Sequence, residues 1–208
     1  QDIELIPYGE NAWGDYKITF GTIERGRHTF TLKALGECAI CVPGNHNVRN
    51  AAAALALTCE LLKTDGKNPA DYAQRLKEGL LCFSGGKRRS EIVGKANTPL
   101  GQEVILIDDY AHHPTAIKTT LAGYREFYKG HKIIVDFMSH TYSRTAALLD
   151  EFATSFSSAD EVILNKIYAS ARETADAQGK KLQVTGKTLA LRAAERHSHV
   201  TYCEEFDE

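Results

Sequence analysis

The spacing of apolar residues changes once along this chain, and that change constrains the fold more than any other feature. Beyond Gly85-Gly86, short apolar runs at 103–107, 132–137, 161–164 and 199–202 alternate with helical stretches at 114–128, 144–156 and 188–196. Strands separated by helices of this length read as βαβ units, which lay consecutive strands parallel. The right-handed crossover then makes an open, doubly wound sheet the expected form. Before the glycine pair the period is two. Runs at 4–8, 16–20, 28–34 and 37–42, rich in Ile, Thr, Phe and Val and separated by glycines, read as an antiparallel meander. An alanine-rich helix is predicted over 47–63, and a second over 69–81 with Asn68 as its cap. The fold class is therefore α/β, in two parts divided at Gly86: residues 1–86 and residues 87–208.

Composition narrows the function. The 208 residues are 43% hydrophobic and 25% charged, an ordinary globular balance. A formal net charge of -2 provides no basic field for long nucleic acid or an anionic membrane. No apolar run reaches the roughly eighteen residues of a spanning helix. The five cysteines are odd in number and scattered, which suits reduced thiols in the cytoplasm. Cys38-x-x-Cys41 lies in an alternating β run with no second pair, so it reads as neither a redox nor a zinc motif. The chain starts at Gln1 and stops in an acidic run directly after a predicted strand, so the expectation is a piece of a longer protein.

The unusual polar residues fall at the ends of predicted strands, where open α/β sheets bind ligands. Asp108-Asp109-Tyr110-Ala111-His112-His113-Pro114 follows one strand, and Ser139-His140-Thr141-Tyr142-Ser143-Arg144 follows the next. Adjacent histidines in an extended loop point apart, which argues against a metal site. A carboxylate there can instead hold ribose hydroxyls, and an imidazole can orient or deprotonate an amine. Arg144 in the first turn of a helix opposes the helix dipole, so it reads as facing an anion such as a carboxylate. Upstream, Asn47 and Asn50 share a face at a strand-to-helix junction. Their amides could read the edge of a base; the alternative is simple helix capping. Arg88 and Arg89 could hold phosphate or ribose, or form a solvated basic linker. No G-x-x-x-x-G-K-[ST] and no G-x-G-x-x-G is present, so any phosphate-cradling loop lies outside these residues.

Together these segments resemble the Mur ligases. The resemblance rests on Pro43-Gly44-x-His46-Asn47-Val48-x-Asn50-Ala51, Gly86-Lys87-Arg88-Arg89, Ile107-Asp108-Asp109-Tyr110-Ala111-His112-His113-Pro114-Thr115 and His140-Thr141-Tyr142-Ser143-Arg144-Thr145. Ser170-Ala171-Arg172-Glu173 also matches, and order and spacing agree along nearly the whole chain. The DDYAHHPT run together with HTYSRT is the specific part of this signal. The resemblance implies the end of a central ATPase domain over 1–86, followed by a Rossmann-like C-terminal domain with a mainly parallel sheet over 87–208, truncated at its end.

The resemblance also implies an activity: bacterial, cytoplasmic, ATP-dependent amide formation in peptidoglycan precursor synthesis. Its nearest branch joins L-alanine to UDP-N-acetylmuramate; the rivals are a branch that reattaches a tripeptide, and a non-catalytic nucleotide-binding module. ATP and Mg2+ are implied, with no metal ligands in this stretch. Without the phosphate loop, the stretch alone is expected to ligate nothing. By the same resemblance His46, Asn47 and Asn50 would contact adenine. Arg88, Arg89 and Asp109 would contact ATP ribose or phosphates. Tyr110 and His112 would face the muramoyl substrate and the amino acid, and Arg144 would hold the amino-acid carboxylate, His112 and Arg144 being the catalytic pair. Three positions depart from the family: Thr141 where some members have Arg, Ser90 where Phe is usual, and Met138-Ser139 where Gln-Pro is usual.

Overall fold

The computed structural model describes residues 5–24, 26–168 and 184–204. By internal contacts the chain forms two units, residues 1–110 with 126–128, and residues 111–125 with 129–208.

The first unit holds the expected meander. Strands β1 (Ile18–Glu24), β2 (Arg27–Leu32) and β3 (Gly36–Ile40) form an antiparallel sheet in sequence order. Alternation in β2 turns His28, Phe30 and Leu32 inward, as a half-buried strand requires. Helix α1 (Asn45–Thr64) lays Val48, Ala52, Leu55 and Ala56 into the same core. Its alanines permit close approach, while each fully buried Phe or Leu contributes about 1.5–3 kcal/mol. A 3-10 turn, Pro69–Tyr72, is capped by Asn68, whose side chain accepts from the Ala70 N–H at 3.2 Å. Helix α2 (Ala73–Cys82) follows it.

Two expectations fail in this unit. Residues 5–8 form no strand. Pro7 lacks an N–H, Leu5 and Tyr8 are exposed, and the nearest ladder contact is one bridge between Gly9 and Lys17. The run at 103–107 does form a strand, β5 (Glu103–Asp108), but it does not pair in a parallel sheet. It pairs antiparallel with β4 (Glu91–Asn97), a strand the apolar pattern did not reveal. All seven β4 positions are polar, small or exposed. The pairing comes instead from a tight return at Thr98–Gln102, closed by Thr98 N–H to Gln102 O at 2.8 Å and by Gly101 at a φ of +79°.

The second unit carries the parallel sheet. Strands β6 (Ile134–Phe137), β7 (Glu161–Asn165) and β8 (Val200–Cys203) run parallel in that order. Helix α3 (Pro114–Phe127) buries Ile117 and Leu121. The helix expected over 144–156 is two, α4 (Tyr142–Ala147) and α5 (Leu149–Thr154). Leu148 leaves the helical region at φ -120°, ψ 29°, and the break directs Phe152 onto Phe137 at 5.8 Å between ring centroids. Phe156 packs on Phe137 at 5.5 Å. Helix α6 (Gly186–Ala194) opens two residues earlier than its apolar period suggested, on a reciprocal capping box between Thr185 and Thr188. Gly186 passes so close to β7 that a Cβ would lie 2.2 Å from the Asn165 carbonyl. The run Ser170-Ala171-Arg172-Glu173 and most of the acidic run at the end lie outside the described residues.

Candidate functional site

The first cluster forms where β3 hands over to α1. Gly44 holds φ +95°, and the His46 ring folds back over it; a Cβ on Gly44 would lie 2.6 Å from His46 Cε1. Only glycine fits this turn. Asn47 does not cap the helix. Its Nδ2 donates to the Pro43 carbonyl at 2.8 Å, closing the turn, and the α1 N-cap has no side-chain hydrogen bond. His46 is half-buried, and its Nδ1 has no hydrogen-bond partner among the described residues. Burial pushes its pKa below the usual histidine value, outweighing the attraction of Asp109, so the ring stays neutral near pH 7. Asn50 is exposed.

The second cluster ties residues 86–91 to the end of β5. Arg89 N–H closes onto Gly86 O at 3.0 Å. Arg88 N–H donates to Glu91 Oε2 at 2.7 Å, and its Nε reaches Asp108 Oδ2 at 3.3 Å. Ser90 is buried, and both its N–H (2.7 Å) and its hydroxyl (3.3 Å) donate to Asp109 Oδ2. Tyr110 N–H donates to Arg88 O at 2.9 Å. Both guanidiniums lie over the Tyr110 ring, at 4.9 Å for Arg88 and 5.6 Å for Arg89. Such cation–π contacts hold the cations in place without neutralising them. Arg88 and Ser90 adopt positive φ values of +55° and +51°, an uncommon state for residues with a Cβ. Ser90 is the residue in this cluster that sequence reasoning missed. Its one signal was the departure from the Phe usual at that position.

The third cluster belongs to the second unit. His112 is half-buried in the loop before α3, and the neighbouring His113 accepts the Thr115 N–H on Nδ1 at 3.3 Å. After β6, the loop is pinned to the end of β7 by Tyr168 N–H to Ser139 O at 2.9 Å and Thr141 N–H to Tyr168 O at 3.3 Å. The His140 and Tyr168 rings stack at 5.1 Å. Arg144 is half-buried on α4 and forms no ion pair among the described residues. The structure thus brings Arg88, Arg89, Asp109 and Tyr110 together in one cluster. It places His46 and Asn47 in another, and His112 and Arg144 in the second unit.

Among the described residues there is no group of three or more His, Cys, Asp or Glu that could hold a metal ion. Cys38 and Cys41 keep free thiols. No helix among them is long and apolar enough to cross a membrane.

A family profile described as the glutamate ligase domain of Mur ligases matches residues 88–208. The chain belongs to the Mur ligase family. Its α/β fold with a parallel sheet is that of the family's C-terminal domain. The UDP-N-acetylmuramate–L-alanine ligase of Treponema pallidum (strain Nichols) is 45% identical over 205 residues, covering 98% of this chain and 40% of that protein. The enzyme of the same name from Borreliella burgdorferi is 38% identical over 173 residues, covering 83% of this chain and 36% of that protein. The chain thus spans about two fifths of the length of these relatives. The crystal structure of UDP-N-acetylmuramate–alanine ligase from Thermotoga maritima superposes with a TM-score of 0.66 at 27% identity, covering 90% of this chain and 37% of that one. A folylpolyglutamate synthase from Thermotoga maritima shares the fold at a TM-score of 0.57 and 16% identity, covering 95% of this chain and 40% of that one.

Proposed function

We propose that the full-length protein is a bacterial, cytoplasmic UDP-N-acetylmuramate–L-alanine ligase, and that this chain is its portion that handles adenosine and the amino acid. We place the domain boundary after Gly86, with residues 1–86 ending the ATPase domain and 87–208 forming the ligase domain. The observation that carries the reading is the 45% identity to the Treponema pallidum ligase across 98% of the chain.

The reaction transfers the γ-phosphoryl of ATP to the lactyl carboxylate. The alanine amine attacks the resulting acyl phosphate, and the C–O bond to phosphate breaks as the amide forms. No side chain forms a covalent intermediate, so positioning and charge stabilisation are what the chain contributes. His46, kept neutral by burial, meets the adenine with Asn47 and Asn50. Arg88 and Arg89, held over Tyr110, take the ribose or phosphates, with Asp109 anchored beside them by Ser90. Tyr110 faces the muramoyl substrate. His112 orients the amine and accepts its proton, and Arg144 holds the alanine carboxylate. The Mg2+ that such chemistry uses would be held mostly by residues outside this stretch.

Phosphate release by the full-length protein tests the reading, with ATP, magnesium and UDP-N-acetylmuramate, and with L-alanine or a tripeptide offered separately. Release that depends on L-alanine is expected. Release with tripeptide alone would assign a recycling ligase instead, and no release with either would leave a nucleotide-binding module.

A further inference from the structure

Thr141 is the most strained residue of the β6–α4 loop. Its φ is +80° and ψ 133°, a region that β-branched side chains avoid. It stands where a Thr normally caps a helix, yet its side chain caps nothing. Such outliers persist only where surrounding structure imposes them, and they cluster at ligand clamps.

The structure shows what imposes this one. Thr145, fully buried, donates both its backbone N–H, at 3.2 Å, and its hydroxyl, at 2.7 Å, to the Thr141 carbonyl. That uses the hydroxyl's only proton, so Ser139, also buried, donates to Thr145 Oγ1 at 2.5 Å. On the other side, the Thr141 N–H is tied to Tyr168. Both peptide groups of Thr141 are therefore held, the carbonyl by the Thr145 N–H and, on the shorter bond, by a relay of two buried hydroxyls. The next turn after the strained residue carries Arg144, which has no ion-pair partner among the described residues.

We infer that the Ser139–Thr145 hydroxyl relay is a positioning device: it holds Thr141 in its strained conformation and thereby sets the direction of Arg144 toward the substrate carboxylate. The inference rests on the proposed role of Arg144. A guanidinium recognises a carboxylate through a fixed two-pronged geometry, so small errors of direction cost affinity for that substrate alone.

The test uses the full-length protein with Thr145→Val, which keeps shape and removes the hydroxyl, Thr145→Ser, which keeps the hydroxyl, and Ser139→Ala, the milder lesion should the valine variant fail to fold. Two readouts are taken: the Thr141 φ in each variant's crystal structure, and the Michaelis constants for alanine and ATP. Thr145→Val should release Thr141 to negative φ and raise the alanine constant about tenfold or more, with the ATP constant unmoved. Thr145→Ser should restore both. A Thr141 φ still near +80° in the valine and alanine variants overturns the relay, whatever the substrate is. A released φ with equal effects on alanine and ATP overturns the link to Arg144. Failure of the ligase reading itself shows separately, as wild-type protein that turns over no alanine.

Discussion

Ser90 donates its backbone N–H to Asp109 at 2.7 Å while its own φ stands at +51°, so a strained turn and the end of β5 hold each other. Removing the carboxylate with Asp109→Ala leaves a buried N–H and a buried hydroxyl unpaired. Each such group costs about 1–3 kcal/mol. Urea unfolding should show a loss of that order, and the full-length protein a raised Michaelis constant for ATP. An unchanged urea midpoint would show that the turn holds itself.

Gly44→Ala should harm the entry to α1. The methyl meets the His46 ring, and the φ of +95° suits no other residue. Backbone strain of this kind costs roughly 1–3 kcal/mol. Thermal unfolding should shift accordingly, and ATP use should weaken because His46 is displaced. A variant as stable as the parent would mean that the turn rearranges freely.

The acid side of the stability profile should be set partly by two histidines, His28, which is buried, and His46, which is half-buried. Burial lowers the pKa of His28, against the attraction of Glu126, and that of His46. In the unfolded chain both titrate near the ordinary value of about 6.5. Groups with a depressed folded pKa add stability above that pH and lose it as the pH falls through the folded value. Urea midpoints should therefore drop as the pH falls below the ordinary histidine value of about 6.5. His28→Leu, which also removes a buried Nδ1 without a partner, should flatten part of that slope. An identical slope in the variant would remove His28 from the explanation.

Arg144→Ala in the full-length protein should reduce kcat/KM for alanine by the equivalent of about 2–5 kcal/mol, the usual cost of losing one partner of a buried charged pair. Steady-state phosphate release at varied alanine measures it. Unchanged alanine kinetics would sink the Arg144 assignment.

Much of this fold was legible because periodicity reports burial. The inward alternation of His28, Phe30 and Leu32 and the apolar runs of β6 and β7 each carry their own signal. β4 was invisible because its pairing is driven by the turn at Thr98–Gln102, not by an apolar face. The direction of β5 was misread for the same reason: an apolar run does not say which partner it will take. At the candidate site, the special residue types of the Asp109–His112 and His140–Arg144 loops were visible, since chemistry selects unusual side chains. The Ser90–Asp109 and Ser139–Thr145 contacts were not, because a buried hydroxyl is an ordinary residue until its partner is known.

The activity proposed for the full-length protein joins L-alanine to UDP-N-acetylmuramate through an acyl phosphate. It is tested most directly with UDP-N-acetylmuramate labelled with oxygen-18 in its lactyl carboxylate, in a reaction with ATP and L-alanine. If the carboxylate attacks the γ-phosphoryl and phosphate later departs, one labelled oxygen leaves with each phosphate released, and mass spectrometry of the phosphate should find it. Unlabelled phosphate accompanying amide formation would rule out the acyl phosphate.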